Sequence, residues 1–330
     1  MQAVELFLSS IRSSETRGKY SIYFRKYQDF AGPDLFCNNN PRMIEQKIIE
    51  FLIDMKSKGK GYSTIHNYAA AVLAFYKIND VILNITKISK FIPVQKKVKK
   101  DRAYSHEEIA RLLEIADERV RAMILLLASS GIRVGALPLL KLRNLEGTKL
   151  TVYENEREEY FTFLTPECQK AIDTYLDMRS RYGEKLDKDS FLIREQFDIK
   201  DPFQISKPRQ LTTTMVNWKI LDLSRRQGMR SKEVSMTHGF RKFFTTQLIN
   251  SKVNPEIREM LLGHKIGLAS CYYRPTDQEM YAEYEKAIDN LTIDPSQRLQ
   301  RKVEHYESPS YSMQITEQVV KYMKDNGLIS

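Results

Sequence analysis

Helix-start signals recur along this chain of 330 residues, and few strand-like runs stand against them. Ser14 heads a run in which Tyr20, Phe24, Tyr27 and Phe30 return near helical spacing, and Gly32 ends it. Asn40-Pro41 places a cap residue before a proline at the first helical position and leads into Ile44, Ile48, Ile49, Leu52 and Ile53. Gly59-Lys60-Gly61 breaks that helix, Ser63-Thr64 opens a third, and a short fourth is expected over residues 80–88. The first 95 residues carry no strand signal. Ser105-x-x-Glu108 and Thr276-x-x-Glu279 are capping boxes, heading helices expected over 107–117 and 276–291. Further helical patterns cover 120–128, 134–137, 165–182, 212–225, 237–250 and 255–262. Residues 150–153 and 160–163 read as a hairpin, and 191–193 as a short strand. The chain is therefore expected to be mainly α, with a small antiparallel β-sheet in its second half.

The length suggests two domains. Residues 1–95 form a helical module. Residues 96–104 form a basic, proline-marked linker, and residues 105–293 a second domain. Residues 294–330 form a polar tail with an amphipathic segment over 316–325. Net charge is +10, and residues 1–100 hold 17 Lys and Arg against 8 Asp and Glu, so nearly all of the surplus lies there. That asymmetry favours a polyanion, and double-stranded DNA is the expected partner of the N-terminal third. Lys96, Lys97, Lys99, Lys100 and Arg102 are the candidate DNA contacts of the linker. No run of eighteen apolar residues and no leader signature is present, and the three cysteines are far apart, so a cytoplasmic protein away from membranes is expected. Phosphate-cradling glycine loops and zinc-type spacings are missing, so neither cofactor nor metal is expected.

Five residues carry the chemistry. Arg133 follows Ser129-Ser130-Gly131-Ile132, and His238-Gly239-Phe240-Arg241 places two side chains on one helix face. His264 ends Leu261-Leu262-Gly263-His264, and Tyr273 stands nine positions later, before Arg274. Taken singly, each has an ordinary reading: a paired arginine, a helix-surface pair, a helix stop, a packed tyrosine. Together they suit phosphodiester chemistry. Two guanidinium forks can neutralise the non-bridging oxygens. A phenol can attack phosphorus if a neighbour takes its proton, and His or Lys can protonate the leaving hydroxyl.

The order and spacing of Arg133, His238, Arg241, His264 and Tyr273 resemble the active site of the tyrosine recombinase (phage-integrase-like) family, over residues 101 to about 293. The resemblance implies a helical core-binding domain joined to a tyrosine-recombinase catalytic domain. It also implies a site-specific recombinase that cuts and rejoins DNA through a 3′-phosphotyrosyl intermediate, as a tetramer on DNA and without cofactors. The tail would dock on a neighbouring subunit, and the wording of the tyrosine box suggests an archaeal-type integrase. Two departures stand out. Ala136 occupies the place, three residues after the first Arg, where the family usually has an acid, and the hairpin turn has no Lys. The general acid then falls to Lys149 or Arg157. A non-catalytic DNA-binding protein on the same fold, or a type IB topoisomerase-like enzyme, are the alternatives.

Overall fold

The computed structural model describes residues 2–32, 40–95, 101–229, 233–265 and 273–307. The chain divides into two compact units, Met1–Val98 and Lys99–Ser330. The first holds α1 (Gln2–Ser9), α2 (Ser14–Ala31), α3 (Pro41–Ser57), α4 (Tyr62–Ile78) and α5 (Ile85–Ser89). Its helix starts differ slightly from the sequence reading. Ser13, not Ser14, caps α2, its hydroxyl accepting the Thr16 N–H at 3.3 Å. Asn40 caps α3 as expected. Asp80 adopts a left-handed backbone at φ 59°, which stops α4, and the next helix waits for Asn84 to cap it at Lys87. The core is aromatic: Phe7, Phe24, Tyr27, Phe51 and Phe75 are buried, and the Phe24 and Phe75 rings lie 4.1 Å apart. Each such ring contributes about 1.5–3 kcal/mol through burial.

The second unit is built around α7 (Glu118–Ser130), whose residues from Arg119 are buried on nearly every face apart from Arg121. An all-round apolar stretch, Met123 to Ala128, makes it a central helix rather than a surface one. Around it stand α6 (His106–Glu114), α8 (Pro166–Arg181), α9 (Pro202–Ser206), α10 (Thr213–Arg226), α11 (His238–Asn250), α12 (Pro255–Leu261), α13 (Asp277–Glu285), α14 (Ile288–Leu291) and α15 (Pro295–Glu307). A three-stranded antiparallel sheet orders β1 (Leu145–Glu146), β2 (Lys149–Val152) and β3 (Tyr160–Phe163), with Lys149 opposite Phe163 and Val152 opposite Tyr160. The mainly helical architecture with one small antiparallel sheet agrees with the sequence reading.

Local corrections have physical causes. The strand expected at 191–193 is only a single bridge between Phe191 and Lys141, because the buried Arg179 guanidinium takes the carbonyl oxygens of Phe191 (2.7 Å) and Leu192 (3.4 Å). That arginine and Arg194 share the buried carboxylate of Glu184. The helix expected over 134–137 is a turn running into a 3-10 segment, Leu137–Leu139, with Pro138 inside it. The helix after Thr276 ends at Glu285 and resumes at Ile288. The start of the tail is helical and packs on its own unit: Glu167 accepts the N–H groups of Ile293 and Asp294, and Arg301 pairs with Asp289. The segment expected over 316–325 lies outside the described residues. Among the described residues no helix is long and apolar enough to cross a membrane.

Candidate active site

The site is assembled where two helix-ending turns meet one guanidinium. Arg241 sits in the first turn of α11 and is 6% exposed. Its Nη1 donates to the Gly131 carbonyl at 2.6 Å, and its Nη2 donates to the Leu262 carbonyl at 2.6 Å and meets His264 Nε2 at 2.8 Å. A buried charge of this kind is tolerable only with such partners. Burial, and then the charge of Arg133, hold its pKa below the usual guanidinium value.

Two glycines bring those carbonyls into place. Gly131 ends α7 in the left-handed region at φ 62°, and a Cβ there would fall 2.2 Å from Cδ1 of Phe244 on α11. Gly263 ends α12 at φ 64°, and a Cβ there would fall 2.5 Å from the ring of Tyr160 on β3. Each helix end therefore presses its backbone onto an aromatic face, which no larger residue allows.

His264 lies between two partners. Its Nδ1 is 2.7 Å from Glu259 Oε2, and its Nε2 faces Arg241. Arginine can only donate, so Nε2 accepts, and the ring proton sits on Nδ1 toward the carboxylate. His238 is exposed at the start of α11, and its pKa is lowered by burial, then by Lys242 and Arg241. Lys242 itself is tied to Asp101, at 2.6 Å. Thr237, just before α11, does not cap the helix through its side chain: its own backbone is already helical, and its hydroxyl donates to Asn217 Oδ1 at 3.0 Å.

Arg133 stands exposed in the turn after Gly131, and among the described residues its guanidinium has no hydrogen-bond or ion-pair partner. Its charge is felt at Arg241, His238 and Tyr160. Among the described residues neither guanidinium is paired with a carboxylate, and two such charges are suited to an anion. Thus Arg133, His238, Arg241 and His264 come together. Tyr273 is 37% exposed, and among the described residues it has no hydrogen bond to any of the four.

The two candidate acids lie differently. Lys149, at the head of β2, pairs with Asp277 of α13 at 2.5 Å and lies over the Phe161 ring. Arg157 is exposed in the hairpin turn. Arg102 forms a two-pronged contact with Glu108 at 2.7 and 2.6 Å, while Lys96, Lys97, Lys99 and Lys100 lie outside the described residues. Among the described residues no group of three His, Cys, Asp or Glu could hold a metal ion. Sequence reasoning missed Glu259 and Asp277. Glu259 was legible in principle, because a helix stopped by Gly263 brings the residue four before that glycine against the one after it.

Known proteins match this picture. The phage integrase family profile fits residues 102–279. The tyrosine recombinase XerC of Leptospira interrogans, serovar copenhageni and serovar Lai alike, is 27% identical over 241 residues, covering 71% of this chain and 73% of that one. In structure, a lambda integrase dimer bound to a COC′ core site matches at TM-score 0.60 and 14% identity, over 84% of this chain and 96% of that one. The Tn1549 transposon integrase in complex with transposon right end DNA matches at TM-score 0.58 and 17% identity, over 86% and 98%. At these identities the structural likeness is one of fold, and it is the profile, spanning more than half of the chain, that fixes the family. This chain belongs to the phage integrase family and is a tyrosine-type site-specific recombinase.

Proposed function

We propose that the anion held here is the scissile phosphate of duplex DNA, and that the reaction runs through a 3′-phosphotyrosyl intermediate. The observation that carries this reading is the Arg241 junction, where one buried guanidinium joins Gly131, Leu262 and His264, together with an Arg133 that has no partner among the described residues. The Tyr273 hydroxyl attacks phosphorus, its proton passes to neutral His238, and the 5′-oxygen leaves with a proton from Lys149 or Arg157. Arg133 and Arg241 neutralise the non-bridging oxygens, and His264 hydrogen-bonds them. Energy is conserved in the protein–DNA ester, so rejoining needs no external source. The basic linker, including Arg102, follows the DNA backbone. The working assembly is a cytoplasmic tetramer on two duplexes, with the 316–325 segment of the tail docking on a neighbouring subunit.

The test is a nicked duplex made from the DNA that flanks the protein's own gene, which traps the ester once the short strand diffuses away. Wild type and Tyr272→Phe should yield a covalent adduct, while Tyr273→Phe should yield none and still bind within a few-fold. An adduct that survives Tyr273→Phe and disappears with Tyr272→Phe would assign the nucleophile to the neighbouring tyrosine.

A further inference from the structure

We propose that Glu259 is a positioning residue for strand cleavage, holding His264 in the ring orientation and tautomer that the Arg241 junction requires; this rests on the reading above. The cause lies in how α12 ends. Gly263 takes the left-handed conformation, the Gly263 N–H returns to the Met260 carbonyl at 2.8 Å, and the His264 N–H returns to the Glu259 carbonyl at 2.9 Å. This double closure of a helix end places the side chains of residues 259 and 264 against each other. Such pairs are usually apolar. Here they are a carboxylate and an imidazole, 2.7 Å apart. The same backbone turn therefore exposes the Leu262 carbonyl to Arg241 and aligns the carboxylate with Nδ1.

Glu259 is itself anchored. Its Oε1 accepts from Arg258 at 3.1 Å, leaving Oε2 for the ring. Burial pulls its carboxyl toward protonation, but His264 and Arg258 outweigh this and hold it below the usual carboxylate value. With the Nδ1 proton kept on the Glu259 side, Nε2 stays open toward Arg241 in the free protein. When a phosphate enters, Nε2 donates to it after the ring has taken a second proton from solvent water, with Nδ1–H still on the Glu259 carboxylate. An ionised carboxylate on the far nitrogen balances the resulting positive ring. A ring carrying its single proton on Nε2 would set an N–H against the Arg241 N–H, and the junction would open. Ala stands at position 136, and the carboxylate partner of His264 comes from α12.

The experiment uses the full chain labelled with 15N-histidine, with the His264 signals assigned by their loss in His264→Gln. In wild type above neutral pH, Nδ1 should carry the proton and Nε2 should not. Glu259→Gln keeps an acceptor oxygen and should keep this tautomer, with partial loss of cleavage. Glu259→Ala should mix the tautomers and slow cleavage of the nicked duplex by about 10- to 100-fold, by analogy with the cost of removing the carboxylate that orients a metal-ligating histidine. A proton on Nε2 in wild type would overturn the proposal, as would an unchanged tautomer and rate in Glu259→Ala. If Glu259→Ala does not fold, a Glu259→Gln tautomer unlike that of wild type overturns it equally. Absence of any adduct with wild type would instead overturn the phosphotyrosyl reading, while the labelled ring still decides the Glu259 contact.

Discussion

Arg241 commits N–H groups to Gly131, Leu262 and His264 and lies beside the Tyr160 hydroxyl, so only part of its fork is open to a ligand. Arg133, exposed and unpaired among the described residues, commits none. The two should therefore fail differently. Arg241→Ala should slow cleavage by about 10²-fold or more, equivalent to about 3 kcal/mol of lost transition-state stabilisation. It should also destabilise the protein by about 1–3 kcal/mol, because buried carbonyls lose their donor. Arg133→Ala should slow cleavage similarly and leave the unfolding midpoint near that of wild type. Single-turnover cleavage and urea unfolding separate the two effects. An equal stability loss in both variants would contradict the exposed position of Arg133.

His238 allows a pH test at the same scale. Burial and the charges of Lys242 and Arg241 hold its pKa below the ordinary value of 6.5. If the neutral ring accepts the Tyr273 proton, cleavage should persist as pH falls past that value and decline only below it. Lys242→Ala removes a positive neighbour and unpairs Asp101, whose negative charge favours imidazolium. Both changes raise the His238 pKa, so the acidic limb of the pH–rate profile should move to higher pH. A limb that stays in place would take His238 out of the proton path.

At the scale of elements, helix ends decide the site. The α7 and α12 termini each carry a left-handed glycine pressed on an aromatic ring, and each turns one carbonyl to Arg241. Gly131→Ala meets two penalties: a left-handed backbone, about 1–2 kcal/mol, and a Cβ driven into Phe244, about 1–3 kcal/mol more. Denaturant unfolding should show a loss of about 2–5 kcal/mol, together with reduced cleavage as the Gly131 carbonyl shifts from Arg241. A loss under 1 kcal/mol would mean that Phe244 yields readily. Element types were legible because caps and periodicity act locally. Asn40-Pro41, Ser105-x-x-Glu108 and Thr276-x-x-Glu279 head helices where expected. The apolar run 191–193 was misread because Arg179, twelve or more residues away, claims the carbonyls that a strand would have used.

For the whole molecule, two units with separate cores carry an uneven charge. Residues 1–98 should fold alone, since their aromatic core is complete within them, and should bind duplex DNA weakly. The slope of log K against log salt should be about −0.9 for each phosphate contacted. Binding that ignores salt would contradict a backbone-gripping role. The amino-acid sequence by itself determined the helical character, the β2–β3 hairpin but not β1, the family and the five residues at its motif positions, because spacing along a chain records local geometry and reaction chemistry directly. Only the tertiary structure decided which partners those residues have. Arg241 is buried against two carbonyls, Arg133 is left without a partner among the described residues, Lys149 is taken up by Asp277, and His264 is held by Glu259. Such pairings join side chains that are distant in sequence or depend on how a helix ends, and packing sets them.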